Sequence, residues 1–182
     1  MIKKSSLIIS SIILLNLIVI VAFAQNQKDS IIENRGYIVN IGDKPDNINF
    51  TFTDGSTISL DELKGKVVVL QFTASWCSVC RKEMPHLEKE VWQRFKDDDF
   101  ILIGVDFDEP LEKVKSFKEQ MKTTYPMALD KDALIFQKFA LKKSGVTRNV
   151  ILDKSGEIDF LTRLYERKEF EDMISKIESL LE

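Results

Sequence analysis

Phe72-Thr73-Ala74-Ser75-Trp76-Cys77-Ser78-Val79-Cys80-Arg81-Lys82-Glu83-Met84-Pro85 holds the only two cysteines of the 182-residue chain, separated by two residues. Ahead of the pair, Val67 to Phe72 is a nearly continuous apolar, β-branched run, the pattern of a strand covered on both faces. Behind it, Cys80, Met84, Leu87, Val91 and Phe95 recur at helical spacing, with Arg81, Lys82, Glu88, Lys89 and Arg94 outside the stripe. A strand, a tight turn and Cys-x-x-Cys opening a helix make a dithiol/disulfide site, because backbone N–H groups and the helix dipole favour a thiolate at the first cysteine. A purely structural staple is the plainer reading, but a bridge closing so small a loop constrains the unfolded chain little and stabilises little. Pro85 falls inside the helical pattern and is expected to kink it about two turns after Cys77.

The chain's start reads differently. Lys3 and Lys4 precede an apolar stretch from Leu7 to Val21, and Ala22-Phe23-Ala24 places small residues where signal peptidases cut. Residues 1–24 are therefore expected to be an export signal cleaved after Ala24. The other reading is an uncleaved anchor, since the run from Leu7 to Ala24 is long enough to span a bilayer. Residues 25–36 are polar and read as a linker, which leaves 37–182 as one domain. Loss of Lys3 and Lys4, with no acid among the first 24 residues, moves the formal net charge from −3 to −5. That balance points away from nucleic acid.

Asn49 to Thr53 and Thr57 to Leu60 flank Asp54-Gly55 and predict a hairpin, followed by a short helical turn ending at Gly65. Phe100 to Val105 predicts a second buried strand, Pro110 to Lys122 a helix, Pro126 to Leu129 a short strand, and Lys131 to Ala140 another helix. Asn149 to Leu152 and Ile158 to Leu161 flank a glycine-containing turn, and Phe170, Ile174, Ile177 and Leu181 line a closing helix. The expected architecture is α/β: a mixed central sheet flanked by helices, with an N-terminal hairpin and a central insert.

From Gly65 to Pro85 the chain resembles the exported TlpA/ResA-like thiol-disulfide oxidoreductases of the thioredoxin fold, whose block runs GKVVLVNFWATWCxxCRKEMP. The resemblance spans roughly residues 40–182. It implies a redox enzyme that works through a reversible Cys77–Cys80 disulfide, without a cofactor. Two departures stand out. Gln71 occupies the place of the buried aspartate of thioredoxins, so proton transfer falls to Glu83, where the family carries an acid. Glu83 lies on the shoulder of the apolar stripe, although an ordinary surface glutamate is the alternative reading. In Gly145-Val146-Thr147-Arg148, Thr147 stands where the family has a cis-proline. A cis bond before a non-proline residue costs about 2.5–4 kcal/mol, so Val146–Thr147 is expected to be trans.

Cys77 is expected to attack, Cys80 to resolve, and Trp76 and Thr147 to line the docking surface for substrate proteins, with an upstream thiol donor restoring the dithiol. Reduction of protein disulfides is the favoured direction, and the periplasm or cell envelope the expected location, with membrane contact only through residues 1–24. Two alternatives remain open. A thiol peroxidase would need a threonine and an arginine at the cysteine, for which Thr73 and Arg148 are the candidates. A soft-metal protein would use the two thiolates for Cu(I), whereas zinc wants ligands the lone His86, a helix-surface residue by its spacing, cannot complete. Asp97-Asp98-Asp99 reads as a solvated loop, not a metal site.

Overall fold

The elements follow in the order β1 (Asn49–Phe52), β2 (Thr57–Ser59), β3 (Val67–Thr73), α1 (Ser78–His86), β4 (Phe100–Phe107), α2 (Leu111–Met121), β5 (Met127–Asp130), β6 (Arg148–Leu152), β7 (Ile158–Arg163) and α3 (Arg167–Leu181). They come from a computed structural model that describes residues 35–182. The expected export segment and most of the linker lie outside the described residues. The chain divides into two units at Ile38/Val39, and all these elements belong to the second, Val39–Glu182.

The strands form one seven-stranded sheet in the order β2-β1-β5-β4-β3-β6-β7. Strands β3, β4 and β5 run parallel at its centre, while β6, β7, β1 and β2 are added antiparallel. Every residue of β3 is buried, which is what its unbroken apolar run requires. The central insert is α2 with β5, which lies parallel to β4 on one edge and antiparallel to β1 on the other. Thus the fold is the mixed α/β sheet that the sequence implied.

Alternation along the strands divides the core. Val67, Val69, Leu102 and Ile151 face α1, α2 and α3 through Met84, Leu87, Val114, Phe117, Phe170 and Ile174. On the other face Phe72 packs edge-on against Phe136, with ring centroids 5.3 Å apart, and against Phe139. That second face is not covered by the single helix expected over 131–140. Instead Lys131–Ala133 and Phe136–Lys138 are two short 3₁₀ turns. Asp132 and Ala133 adopt left-handed backbone, at φ 60° and 56°, which ends any α-helical run. The Asp130 carboxylate then takes the N–H groups of Ile135 and Phe136 at 2.7 and 2.8 Å and turns the aromatic side chains onto Phe72.

Helix α1 begins at Cys77 and does not stop at Pro85. The proline has no N–H for the carbonyl of Arg81, and its ring crowds that carbonyl. Downstream the helix widens into a π-helical stretch, Leu87–Trp92, before a last α turn at Gln93–Phe95. The N–H of Leu87 is shared between the carbonyls of Glu83 and Met84. The expected disturbance is therefore a widening just after the proline.

Candidate active site

Cys77 is the N-cap of α1, with extended backbone (φ −84°, ψ 107°), and its Sγ accepts the N–H of Cys80 at 3.1 Å. The chain reaches it through a turn tied down on both sides. Glu109 accepts the N–H and the hydroxyl of Ser75, at 2.5 and 2.7 Å, and Arg81 Nε donates to the Ser75 carbonyl at 2.8 Å. Cys77 and Cys80 are joined as a disulfide with Cα atoms 5.3 Å apart. Cys77 is 7% exposed and Cys80 fully buried. Only the first cysteine therefore has any opening to solvent, and it sits at the positive end of the helix.

Thr147 comes to both sulfurs: its Oγ1 lies 3.1 Å from Cys77 Sγ and 3.2 Å from Cys80 Sγ. There is no cis peptide bond among the described residues, so Val146–Thr147 is trans. The loop before Thr147 is gripped by two arginines. Arg148, fully buried, donates to the carbonyls of Gly145 and Ser144 at 3.2 and 3.1 Å and to the Ser144 hydroxyl at 2.7 Å. Arg163 donates to the carbonyls of Thr147 and Ser144 at 3.3 and 2.7 Å. The two arginines stand directly opposite each other in the β6–β7 register. Like charges so placed oppose each other by roughly 0.2–1 kcal/mol, less than the roughly 1.5–3 kcal/mol that a hydrogen bond to a charged group contributes. The arrangement is thus held by what the guanidinium groups bind.

Glu83 lies one turn beyond Cys80 and is buried, which removes the surface reading. Its Oε1 accepts from Asn149 Nδ2 at 2.7 Å, and Asn149 also donates to Thr162 Oγ1 at 2.9 Å. Burial raises the Glu83 carboxyl to about 7, against the opposing pull of the Asn149 and Gln71 amides. Gln71 Nε2 and Glu83 Oε2 both stop short of a formed hydrogen bond. On its other end Gln71 Oε1 accepts from Tyr125 OH at 2.9 Å. Tyr125 reaches there over Gly104, where a Cβ would collide with Met127 Sδ and crowd the tyrosine ring. Asn149 thus supplies the formed hydrogen bond to the Glu83 carboxyl, with the Gln71 amide nearby. Glu83, Thr162, Leu164, Glu166 and Glu169 line a small gap with no room for a water.

A second buried acid, Asp106, lies near the end of β4 beside Thr73. It is fully buried, and neither carboxyl oxygen has a hydrogen-bond partner. Burial raises it to about 8, with the nearby Glu109 carboxylate adding to the effect. Among the other candidates, Trp76 is 61% exposed at the rim, edge-on to Phe107. Thr73 turns its hydroxyl to Met84 Sδ at 3.5 Å, and Arg148 is engaged with the 144–145 carbonyls, so both groups a peroxidatic cysteine would use are engaged elsewhere. His86 is half-exposed and stacks on Tyr165.

Cys77, Cys80 and Thr147 converge, Glu83 lies one helical turn along from Cys80 and bonds Asn149, and Trp76 stays at the edge. Asp106, Asn149, Glu109 and Arg163 were not singled out from the sequence. Asp106 and Asn149 carried a signal, since each is a polar residue in a strand that otherwise reads as buried.

The sequence profile of the AhpC/TSA family matches residues 41–161. The thiol-disulfide oxidoreductase ResA of Bacillus cereus is 32% identical over 156 residues, covering 86% of this chain and 87% of its own. That of Oceanobacillus iheyensis is 29% identical over 163 residues, covering 86% and 81%. A solution structure from Bacteroides thetaiotaomicron, of a protein proposed as a protein disulfide isomerase, is 52% identical with a TM-score of 0.78, over 80% of this chain and 92% of that one. With a buried Cys-x-x-Cys disulfide at a helix N-terminus on this sheet, the chain belongs to the AhpC/TSA family and is, within it, a thiol-disulfide oxidoreductase of the ResA-like kind.

Proposed function

We propose that the enzyme reduces disulfides in other proteins outside the cytoplasm, with Cys77 as the attacking thiolate and Cys80 as the resolving thiol. The observation that carries this reading is the N-cap position of Cys77, with the Cys80 N–H on its sulfur and a 7% opening that Cys80 lacks. The reduced protein would begin with a Cys77 thiolate, held by the helix end and by the hydroxyl of Thr147. It attacks one sulfur of the substrate disulfide. A Cys77–substrate disulfide forms and the second substrate sulfur leaves as a thiolate.

Cys80 then gives up its proton and attacks Cys77 Sγ. The Cys77–Cys80 bond forms, the substrate's first sulfur departs as a thiolate, and the substrate has gained two electrons. Glu83, with its carboxyl near 7, is matched to take the Cys80 proton at neutral pH. Trp76 presents an exposed ring for the substrate chain to lie against. A dithiol donor must then reduce Cys77–Cys80 by the same exchange run in the opposite sense.

The setting rests on the N-terminal residues: Lys3 and Lys4, the apolar run and Ala22-Phe23-Ala24 support export of the domain. Among the described residues no helix is long and apolar enough to cross a membrane.

Mixing the Cys80→Ser variant with a disulfide-bonded protein should accumulate a mixed disulfide through Cys77. A Cys80→Ser protein that captures nothing, or a Cys77→Ser protein that captures as well, contradicts the assignment.

A further inference from the structure

We propose that Arg148 and Arg163 are positioning residues for the active site, a guanidinium clamp that holds the trans loop Ser144–Thr147 so that the Thr147 hydroxyl serves both sulfurs. The proposal rests on the reading that this hydroxyl stabilises the Cys77 thiolate.

The sequence creates the need. Without proline, residue 147 loses the ring that would fix its φ, and the loop must be held by something else. Arg148 grips from within, through the carbonyls of Ser144 and Gly145 and the Ser144 hydroxyl. Arg163 grips from the neighbouring strand, and the Ser144 carbonyl accepts from both. Leu164 continues the attachment, its N–H donating to the Thr147 carbonyl at 3.1 Å, which Arg163 also holds. Gly145 is part of the device. It sits at φ 85°, and a Cβ there would collide with the Arg163 guanidinium, so the loop stays bare where the guanidinium lies on it.

Fixing the 144–147 carbonyls fixes the Thr147 Cα, and hence where its short side chain reaches. A hydroxyl 3.1 and 3.2 Å from two sulfurs tolerates little displacement before it loses both. Opposed like charges on β6 and β7 are explained by this common target.

The test reads the Cys77 pKa in the reduced full chain, by ultraviolet absorbance of the thiolate, in four proteins: wild type, Thr147→Val, Arg163→Lys and the double variant. Arg163 is the arm of choice because it is only partly buried; Arg148→Lys, checked for a native circular dichroism spectrum, is the second. Lysine keeps the charge but cannot bridge two carbonyls as a planar fork does. Thr147→Val should raise the Cys77 pKa by about one unit, a tenfold loss of thiolate below it. Arg163→Lys should shift it in the same direction, and the double variant should match Thr147→Val alone, because the arginine acts through the hydroxyl.

If Thr147→Val shifts the pKa while folded Arg163→Lys and Arg148→Lys leave it unchanged, or if the Arg163 shift adds in full to that of Thr147→Val, the clamp is wrong and the role of Thr147 stands. If Thr147→Val has no effect, the reading of the hydroxyl itself fails and takes the clamp with it.

Discussion

On its helix side the Cys77–Cys80 pair is held directly by backbone, through the Cys80 N–H on Cys77 Sγ and the helix end, while the Glu109 and Arg81 side chains pin the Ser75 turn before it. On its loop side it is held by side chains, with Thr147 at both sulfurs and Arg148 and Arg163 on the carbonyls behind it. Backbone support depends on little more than the motif and its position between strand and helix. Side-chain support can be exchanged residue by residue, and the family's proline has given way here to a threonine with a trans bond. In this chain the chemistry leans on the helix end on one side and on the loop's side chains on the other.

The proton transfer proposed for Glu83 belongs to the helix side, and removing that carboxyl should have the largest effect. Glu83→Gln keeps the shape and the hydrogen bond from Asn149 but cannot take a proton. Resolution of the mixed disulfide by Cys80 should slow by about 10²-fold at neutral pH, with the first attack by Cys77 little changed. Stopped-flow separation of the two steps checks this. Equal slowing of both would place Glu83 behind Cys77 and blur the distinction between the two sides.

An effect of comparable size is expected on stability. Glu83 goes from an ordinary 4.5 to about 7, and Asp106 from 3.8 to about 8, both chiefly through burial. Raised carboxyls bind protons in the folded protein that the unfolded chain has already released. Their contribution is fully present below the ordinary values and is lost as pH rises through about 7 for Glu83 and about 8 for Asp106. For Glu83 that loss is on the order of 3 kcal/mol. Urea unfolding of the reduced protein across this range should show stability falling with pH, with Glu83→Gln and Asp106→Asn each flattening the slope. Variants whose slopes match that of the wild type would remove both acids from the account.

How far this was readable beforehand follows the same division. The strand at Val67, the helix at the cysteines and the mixed sheet were legible because burial and periodicity leave a direct pattern in residue type. The helix expected over 131–140 was not formed, because Asp130 offers its carboxylate to two backbone N–H groups and Asp132 adopts left-handed backbone. Neither preference shows as periodicity. Thr147 was legible as a missing proline in a loop that faces Cys77, with a hydroxyl within reach of the thiolate. Its partners Arg148 and Arg163 meet through strand pairing, and a cation at a strand end looks like any solvated charge until the register is known. Gln71 was readable as a substitution, but its bond to Tyr125 depends on the space above Gly104.

Everything proposed for either side rests on which sulfur attacks. The most direct measurement is to treat the reduced protein with a limiting amount of iodoacetamide at neutral pH and map the label by peptide mass. Label confined to Cys77, with Cys80 spared, is the result expected from an N-cap thiolate with a small opening beside a sealed partner. Label on Cys80 first, or on both at equal rates, would contradict it.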